Sequence, residues 1–367
     1  MSVDNHLKVQ LPQQIWPELG DPNSYSGMHN QYARLFDYLD HEITSMRRNL
    51  ALFAISHPPA VLSLIPKLKA LGNGIRRTEA IDMARNVNNE QDTSDATLMR
   101  SVDVAIRLWL TLDVSSLDLR RPGLISWTSK ETLAEAVQSH FASLVNDQSR
   151  TLSSQYGRID PELTAEFLVK YRGYTITWTD NLAAHLTIDW KNKTLTIYEH
   201  KICLSNHLRF STSCVIPEDV LGEAIDTLNL LFPFQNDSTK RFLTKHKKPF
   251  YGLGFCGRPR KLIIGDYSYW RSRIADLVHI LAGPPVGLQQ LGLYYKGENL
   301  LQFATFWIAT AVGVLTLLSI ALGVAAIVYG VKQYDLALKQ YEVSVLQLCL
   351  DPEAERRFAH VCSRISF

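Results

Sequence analysis

Residues 303–331 read FATFWIATAVGVLTLLSIALGVAAIVYGV, 29 residues without a charge, a proline or an amide side chain. As a helix this stretch is about 44 Å long, against a bilayer hydrocarbon core of about 30 Å. It can cross with tilt or continue past the interface. Phe303, Phe306 and Trp307 at one edge, with Tyr329, Lys332 and Tyr334 at the other, are residue types that settle at membrane–water boundaries. A core helix of a soluble protein seldom runs this far without a polar break. The chain is therefore expected to carry one transmembrane helix, with 302 residues before it and a 36-residue tail after it.

The 302 residues suffice for one large core or two ordinary ones. Lys and Arg number 38 against 36 Asp and Glu, and a net charge of +2 argues against a nucleic-acid partner. Met1-Ser2-Val3-Asp4-Asn5-His6 has no basic region followed by an apolar run, so no cleaved signal peptide is expected. Five scattered cysteines (203, 214, 256, 349 and 362) fit free thiols in a reducing compartment better than a disulfide framework. These features place the large domain in the cytosol and the tail on the far side. Lys332 and Lys339 after the span, against Lys296 before it, are a weak opposing signal. The sequons Asn192-Lys193-Thr194 and Asn236-Asp237-Ser238 would be used only if the domain were lumenal.

Along the chain, residues 1–28 read as a polar, extended arm and residues 29–150 as helical. Tyr32, Leu35, Phe36, Leu39, Ile43 and Met46 recur at steps of three and four. Pro58-Pro59 is expected to stop that helix. Residues 60–71 form a second, short apolar stretch and residues 86–95 a solvated loop. Further helices are expected over 98–112 and 130–145, the latter capped by Ser129. In the α+β region, 151–300, residues 174–178, 186–190 and 194–198 read as strands of a small antiparallel meander. Helices at 217–231 and 269–281 are stopped by Pro233 and Pro284-Pro285. The expected class is α+β: a mainly helical N-terminal half, a small antiparallel sheet with helices, a transmembrane helix over 303–331, and an amphipathic tail over 332–367.

Motifs of known chemistry are weak. Gly252-Leu253-Gly254-Phe255-Cys256-Gly257 matches G-x-G-x-x-G, but Arg258-Pro259-Arg260 follows where a helix N-terminus would have to receive phosphate. It is read as a loop. His200, Cys203, His207 and Cys214 are zinc-ligand types at spacings that match no common finger. No G-x-S-x-G, P-loop or H-E-x-x-H occurs. No catalytic residue, cofactor or metal site is assigned on these grounds, and whether the chain is an enzyme stays open.

Two constellations remain. Lys240, Arg241, Lys245, Lys247, Lys248, Arg258, Arg260 and Lys261 lie in a segment with no acidic residue, interleaved with Phe242, Phe250, Tyr251 and Phe255. Such a segment suits anionic lipid headgroups, each cation contributing about 1 kcal/mol near a charged leaflet. Within the span, Ala309, Thr316, Gly323 and Gly330 recur every seven residues beside Gly313, Ser319 and Ala326. A face of small residues lets a second helix, including another copy, approach closely. Beyond it Tyr334, Leu338, Tyr341, Val345 and Leu348 continue an apolar stripe, so the helix is expected to run on almost to Pro352, lying on the membrane or pairing with a partner.

Several phrases occur in a fixed order: 176–182 (ITWTDNL), His185-Leu186, 195–200 (LTIYEH), Ile216-Pro217, 227–233 (TLNLLFP), 269–273 (YWRSR) and 305–309 (TFWIA). With Arg107-Leu108-Trp109-Leu110 and Ile125-Ser126-Trp127, they resemble a large group of filamentous-fungal proteins with a C-terminal membrane span. The resemblance covers residues 100–331, while the tail is longer than the segment that ends that group. It implies structural roles for Trp178, Asn181, His185 and Arg271, and no known catalytic activity. The functional expectation is a membrane-anchored, non-enzymatic protein whose cytosolic domain binds another protein. The alternative is a membrane-tethered accessory factor, or an enzyme without recognisable motifs, in a fungal biosynthetic pathway.

Overall fold

A computed structural model describes residues 5–19, 29–55, 57–88, 93–115, 123–146, 157–210, 214–283, 300–350 and 352–362. Residues 89–92 of the expected loop, 1–4 and 20–28 of the arm, and Pro284-Pro285 lie outside the described residues. The chain divides into Met1–Gln289 and Gln290–Phe367.

The first unit contains α1 (Asn5–Ile15), α2 (His29–Arg48), α3 (Pro58–Ala70), α4 (Arg77–Val87), α5 (Asp95–Leu110), β1 (Asp113–Ser115), β2 (Leu124–Ser126), α6 (Leu133–Asn146) and α7 (Ala165–Arg172). These are followed by β3 (Thr175–Thr179), β4 (Ile188–Asp189), β5 (Thr194–Tyr198), α8 (Lys201–Phe210), α9 (Glu218–Leu231), α10 (Asp237–Lys245) and α11 (Arg271–Ala282). It is a mixed α+β fold, mainly helical, with a single buried apolar cluster running from Leu7 to Ile280.

Several expectations change. Residues 5–15 are helical because Leu7, Leu11 and Ile15 fall four apart and sink into the core with Trp16. The helix begun at His29 ends at Arg48, and Pro58 and Pro59 instead open α3, where the missing amide donors are not needed. α6 is capped by Thr132 rather than Ser129. Glu135 N donates to Thr132 Oγ1 at 3.2 Å and Thr132 N donates to Glu135 Oε2 at 2.8 Å, a capping box.

The sheet is mixed rather than an antiparallel meander. Its order is β3-β5-β4, with β3 parallel to β5 and β4 antiparallel to it. Ile176 faces Leu195 and Trp178 faces Ile197. The segment after β3 turns through residues 182–184 and forms β4 on the far edge, leaving β5 to pair between them. Period-two alternation marks strands but carries no information on their order. β1 and β2 form a separate, short parallel pair.

The second unit is dominated by α12 (Leu300–Cys349), a helix of 50 residues, about 75 Å long at 1.5 Å per residue. Its section from Phe303 is long and apolar enough to cross a membrane, and none of its apolar window is buried. α13 (Pro352–Arg357) and α14 (Ala359–Cys362) follow. They turn the chain back so that Cys349 and Cys362 form a disulfide. This corrects the expectation of five free thiols; Cys203, Cys214 and Cys256 are free.

Candidate functional site

α9 organises the first unit. Every residue from Val220 to Leu231 is buried, including Glu223, Asp226, Thr227 and Asn229. Buried polar groups persist only when paired, and each of these holds a different part of the chain. Glu223 accepts from the backbone amides of Ser268, Tyr269 and Trp270 at 2.6, 2.8 and 2.7 Å, capping the start of α11. Asp226 is fully buried, binds Arg258 through both oxygens at 2.7 Å and binds Lys261 at 2.7 Å. Gly222 lies one turn before Asp226, and a Cβ there would stand 3.0 Å from the Arg258 guanidinium. The glycine lets the arginine lie flat on the helix.

Thr227 reaches His185. Tyr198 N donates to His185 Nδ1 at 3.1 Å, so Nε2 carries the proton and donates to Thr227 Oγ1 at 2.7 Å. The threonine hydroxyl passes its own proton to the Ala224 carbonyl at 2.7 Å. Burial, then the nearby Arg273, push His185 down to about 3. Asn229 accepts from Lys201 Nζ at 2.7 Å and donates to the Phe255 and Arg258 carbonyls at 3.1 and 2.8 Å. Lys201 also donates to the Gly254 carbonyl at 2.7 Å. Burial lowers this lysine to about 8. The glycine-rich segment is thus a turn pinned from within, with Gly254 and Gly257 at φ 61° and 72°.

The basic segment separates into two groups. Arg258 and Lys261 belong to Asp226, while Arg260 donates to the carbonyls of Leu230 at 2.8 and 3.0 Å and Leu163 at 2.9 Å. Lys248 is buried, bonds Glu199 and sits 4.7 Å from the Trp178 ring centre. Lys240, Arg241, Lys245 and Lys247 are exposed. The first three line an open cleft of about 730 Å³ with Asp237 and Thr244. α10 buries Thr239, Phe242 and Leu243 on its other face, and Asn236 caps it by accepting from Ser238 N and Thr239 N. Phe234 and Phe255, 42% and 49% exposed, lie beside one another next to this helix's start.

The four zinc-type residues go to separate partners. His200 Nε2 bonds Asp180 at 2.6 Å, whereas His207 donates to the Trp109 carbonyl at 3.2 Å and receives Trp16 Nε1 at 3.4 Å. Burial raises Cys214 to about 11 and also raises Cys203. No group of three His, Cys, Asp or Glu side chains is arranged to hold a metal among the described residues. Two other clefts, lined by Asp37, His41 and Arg48 and by Glu162, Phe167 and Lys170, do not contain His140, His185, His207, Lys201 or Asp103, whose titration burial shifts.

The residues carried by the resemblance hold turns and packing. Asn181 donates to the Gly123 carbonyl at 2.7 Å and to Asp113 at 3.2 Å, and Arg271 donates to the Tyr267 carbonyl at 2.7 Å. In α12, Ala309, Gly313, Thr316, Ser319, Gly323, Ala326 and Gly330 are all exposed. A Cβ added at any of the three glycines would meet nothing within 4 Å. The periodicity of 217–231 marks α9 as a helix but does not mark it as the hub. The signal was there: four polar residues inside a twelve-residue run that is otherwise apolar or glycine. No family model, curated protein or solved structure matches the chain.

Proposed function

We propose that this chain is a single-pass bilayer protein whose large domain stays on the reducing side of the membrane and acts by binding a partner rather than by catalysis. The observation that carries it is the wholly exposed apolar stretch of α12, which has no place in water. The sole disulfide among the described residues lies beyond the span, and the three described thiols before it are free. Disulfides persist in oxidising compartments, which supports a tail across the membrane from the domain. The side chains that would serve an acid–base site are committed elsewhere: Glu223 to three backbone amides, Asp226 to Arg258 and Lys261, His185 to Thr227 and the Tyr198 amide, and Lys201 to Asn229 and the Gly254 carbonyl. The ordered phrases support grouping the chain with the filamentous-fungal proteins it resembles.

Protease treatment of sealed microsomes holding the full chain tests the topology. The expected result is digestion of the domain, no glycan at Asn192 or Asn236, and a protected C-terminal fragment whose Cys349–Cys362 link is found by mass spectrometry. A protected, glycosylated domain defeats the proposal.

The exposed part of the basic segment favours a second contact for the same domain. Lys240, Arg241 and Lys245 line one cleft with Asp237 and Thr244, three exposed cations against one acid, a combination suited to anionic headgroups. Residues 1–289 bearing Gln at positions 240, 241 and 245 should lose about 2–3 kcal/mol of binding to phosphatidylserine vesicles, near 1 per cation. Equal sedimentation of the two proteins with such vesicles would remove this contact. Lys248 is unsuited to the test, because it is buried between Glu199 and the Trp178 ring and its loss would disturb the core.

A further inference from the structure

α12 continues 18 residues past Val331, about 27 Å at 1.5 Å per residue. No proline interrupts it, so this section stays collinear with the span and does not bend to lie along the interface. It carries Tyr334 and Tyr341, each 66% exposed, with Leu338 and Leu348 at 43% and 42%. Together with Val345 they are spaced by four, three, four and three residues, the heptad spacing of a two-helix seam. Lys332, Asp335, Lys339 and Glu342 form their own stripe, and none enters that seam. At about 100° per residue, Ala309, Thr316, Gly323 and Gly330 project within about 40° of Tyr334. One face therefore runs the length of the helix, small inside the bilayer and apolar beyond it.

Among the described residues, the chain's own tail covers little of this face. α13 and α14 return to α12 near Cys349, and of the seam only Val345 is partly covered. If residues 303–331 cross the membrane, the first unit lies on the other side of it. Every inserted copy then has the same orientation, so two copies of α12 meet parallel and in register. Small residues face small ones within the lipid, where close backbone approach drives association, and heptad residues face their counterparts outside.

We propose that α12 pairs with α12 of a second copy along the face running from Ala309 to Leu348. The inference rests on the span reading above. The test uses the full chain in membranes of the expressing cell, with single substitutions Tyr334→Cys, Tyr341→Cys and Lys339→Cys, oxidised by copper phenanthroline and compared with the unsubstituted chain. Tyr334→Cys and Tyr341→Cys should give a reducible dimer about tenfold above Lys339→Cys. Adding Gly323→Ile and Gly330→Ile should lower that yield about tenfold, the interface losing its close approach. Equal crosslinking at all three positions, no dimer above the unsubstituted chain, or adducts only to a different protein overturns the pairing. Carbonate washing separates the two readings. Chains that stay in the pellet without crosslinking refute the pair alone, whereas chains released by carbonate refute the span.

Discussion

Replacing Asp226 with alanine should lower the stability of the domain by about 3–5 kcal/mol, the usual consequence of breaking a buried ion pair from one side. Asp226 is wholly buried, whereas Arg258 and Lys261 keep 37% and 33% of their side-chain surface in water, so the lower end of that range is expected. Against a total stability of about 5–15 kcal/mol this is a large fraction. Asp226→Asn should fall between, since it keeps the volume and one acceptor. Urea unfolding followed by tryptophan fluorescence gives the comparison. A loss below about 1 kcal/mol for the alanine variant would mean that the two cations find water without disturbing α9.

Acid should be the second strong perturbation. Burial lowers His140 and His207 to about 4 and His185 to about 3, from an ordinary 6.5. The unfolded chain takes up three protons that the folded domain refuses. Their contribution is complete above pH 6.5 and is lost as the pH falls towards 4. Asp103 works the other way: burial pushes its carboxyl up to about 6, so its contribution is present below 3.8 and lost as pH rises through 6. Burial raises Glu42, Asp113, Glu223 and Asp276 as well, and these carboxyls offset part of the histidine uptake. The net slope therefore falls below about 4 kcal/mol per pH unit, the value that three protons alone would give. Urea midpoints at pH 7.5, 6.5, 5.5 and 5.0 should be level at first and then drop steadily. A midpoint unchanged from 7.5 to 5.0 would show that these imidazoles reach water in the folded state.

The legible parts of the fold were those written in local periodicity. The 29-residue apolar run, the helix of α9 and the alternation of β3 and β5 each reflect spacing along one element. What escaped depends on partners far apart in sequence. The neighbour of β5 is set by the path of residues 180–193, which alternation does not encode. Lys248, Arg258, Arg260 and Lys261 look like surface charge until Glu199, Asp226 and the carbonyls of Leu163 and Leu230 are placed beside them. The disulfide depended on the turn before α13, since Cys349 and Cys362 are merely two more scattered cysteines until the chain doubles back. Thr132 as the cap of α6 was readable, because Thr132-Leu133-Ala134-Glu135 has the capping-box spacing.

The partners of α9 lie on both sides of it in the chain, His185 and Lys201 before, Arg258, Lys261 and the amides of 268–270 after. A ribosome makes the helix before it makes residues 254–270. During that interval Asp226 has neither of its cations and Glu223 none of its three amides, and a helix with bare acids on it does not enter an apolar core. Completion of the core around α9 therefore waits until residues 254–270 have been synthesised, and it depends on contacts distant in sequence, which form slowly. For the same reason a chain that stops between α9 and α11 is expected to expose apolar surface and to aggregate rather than to fold.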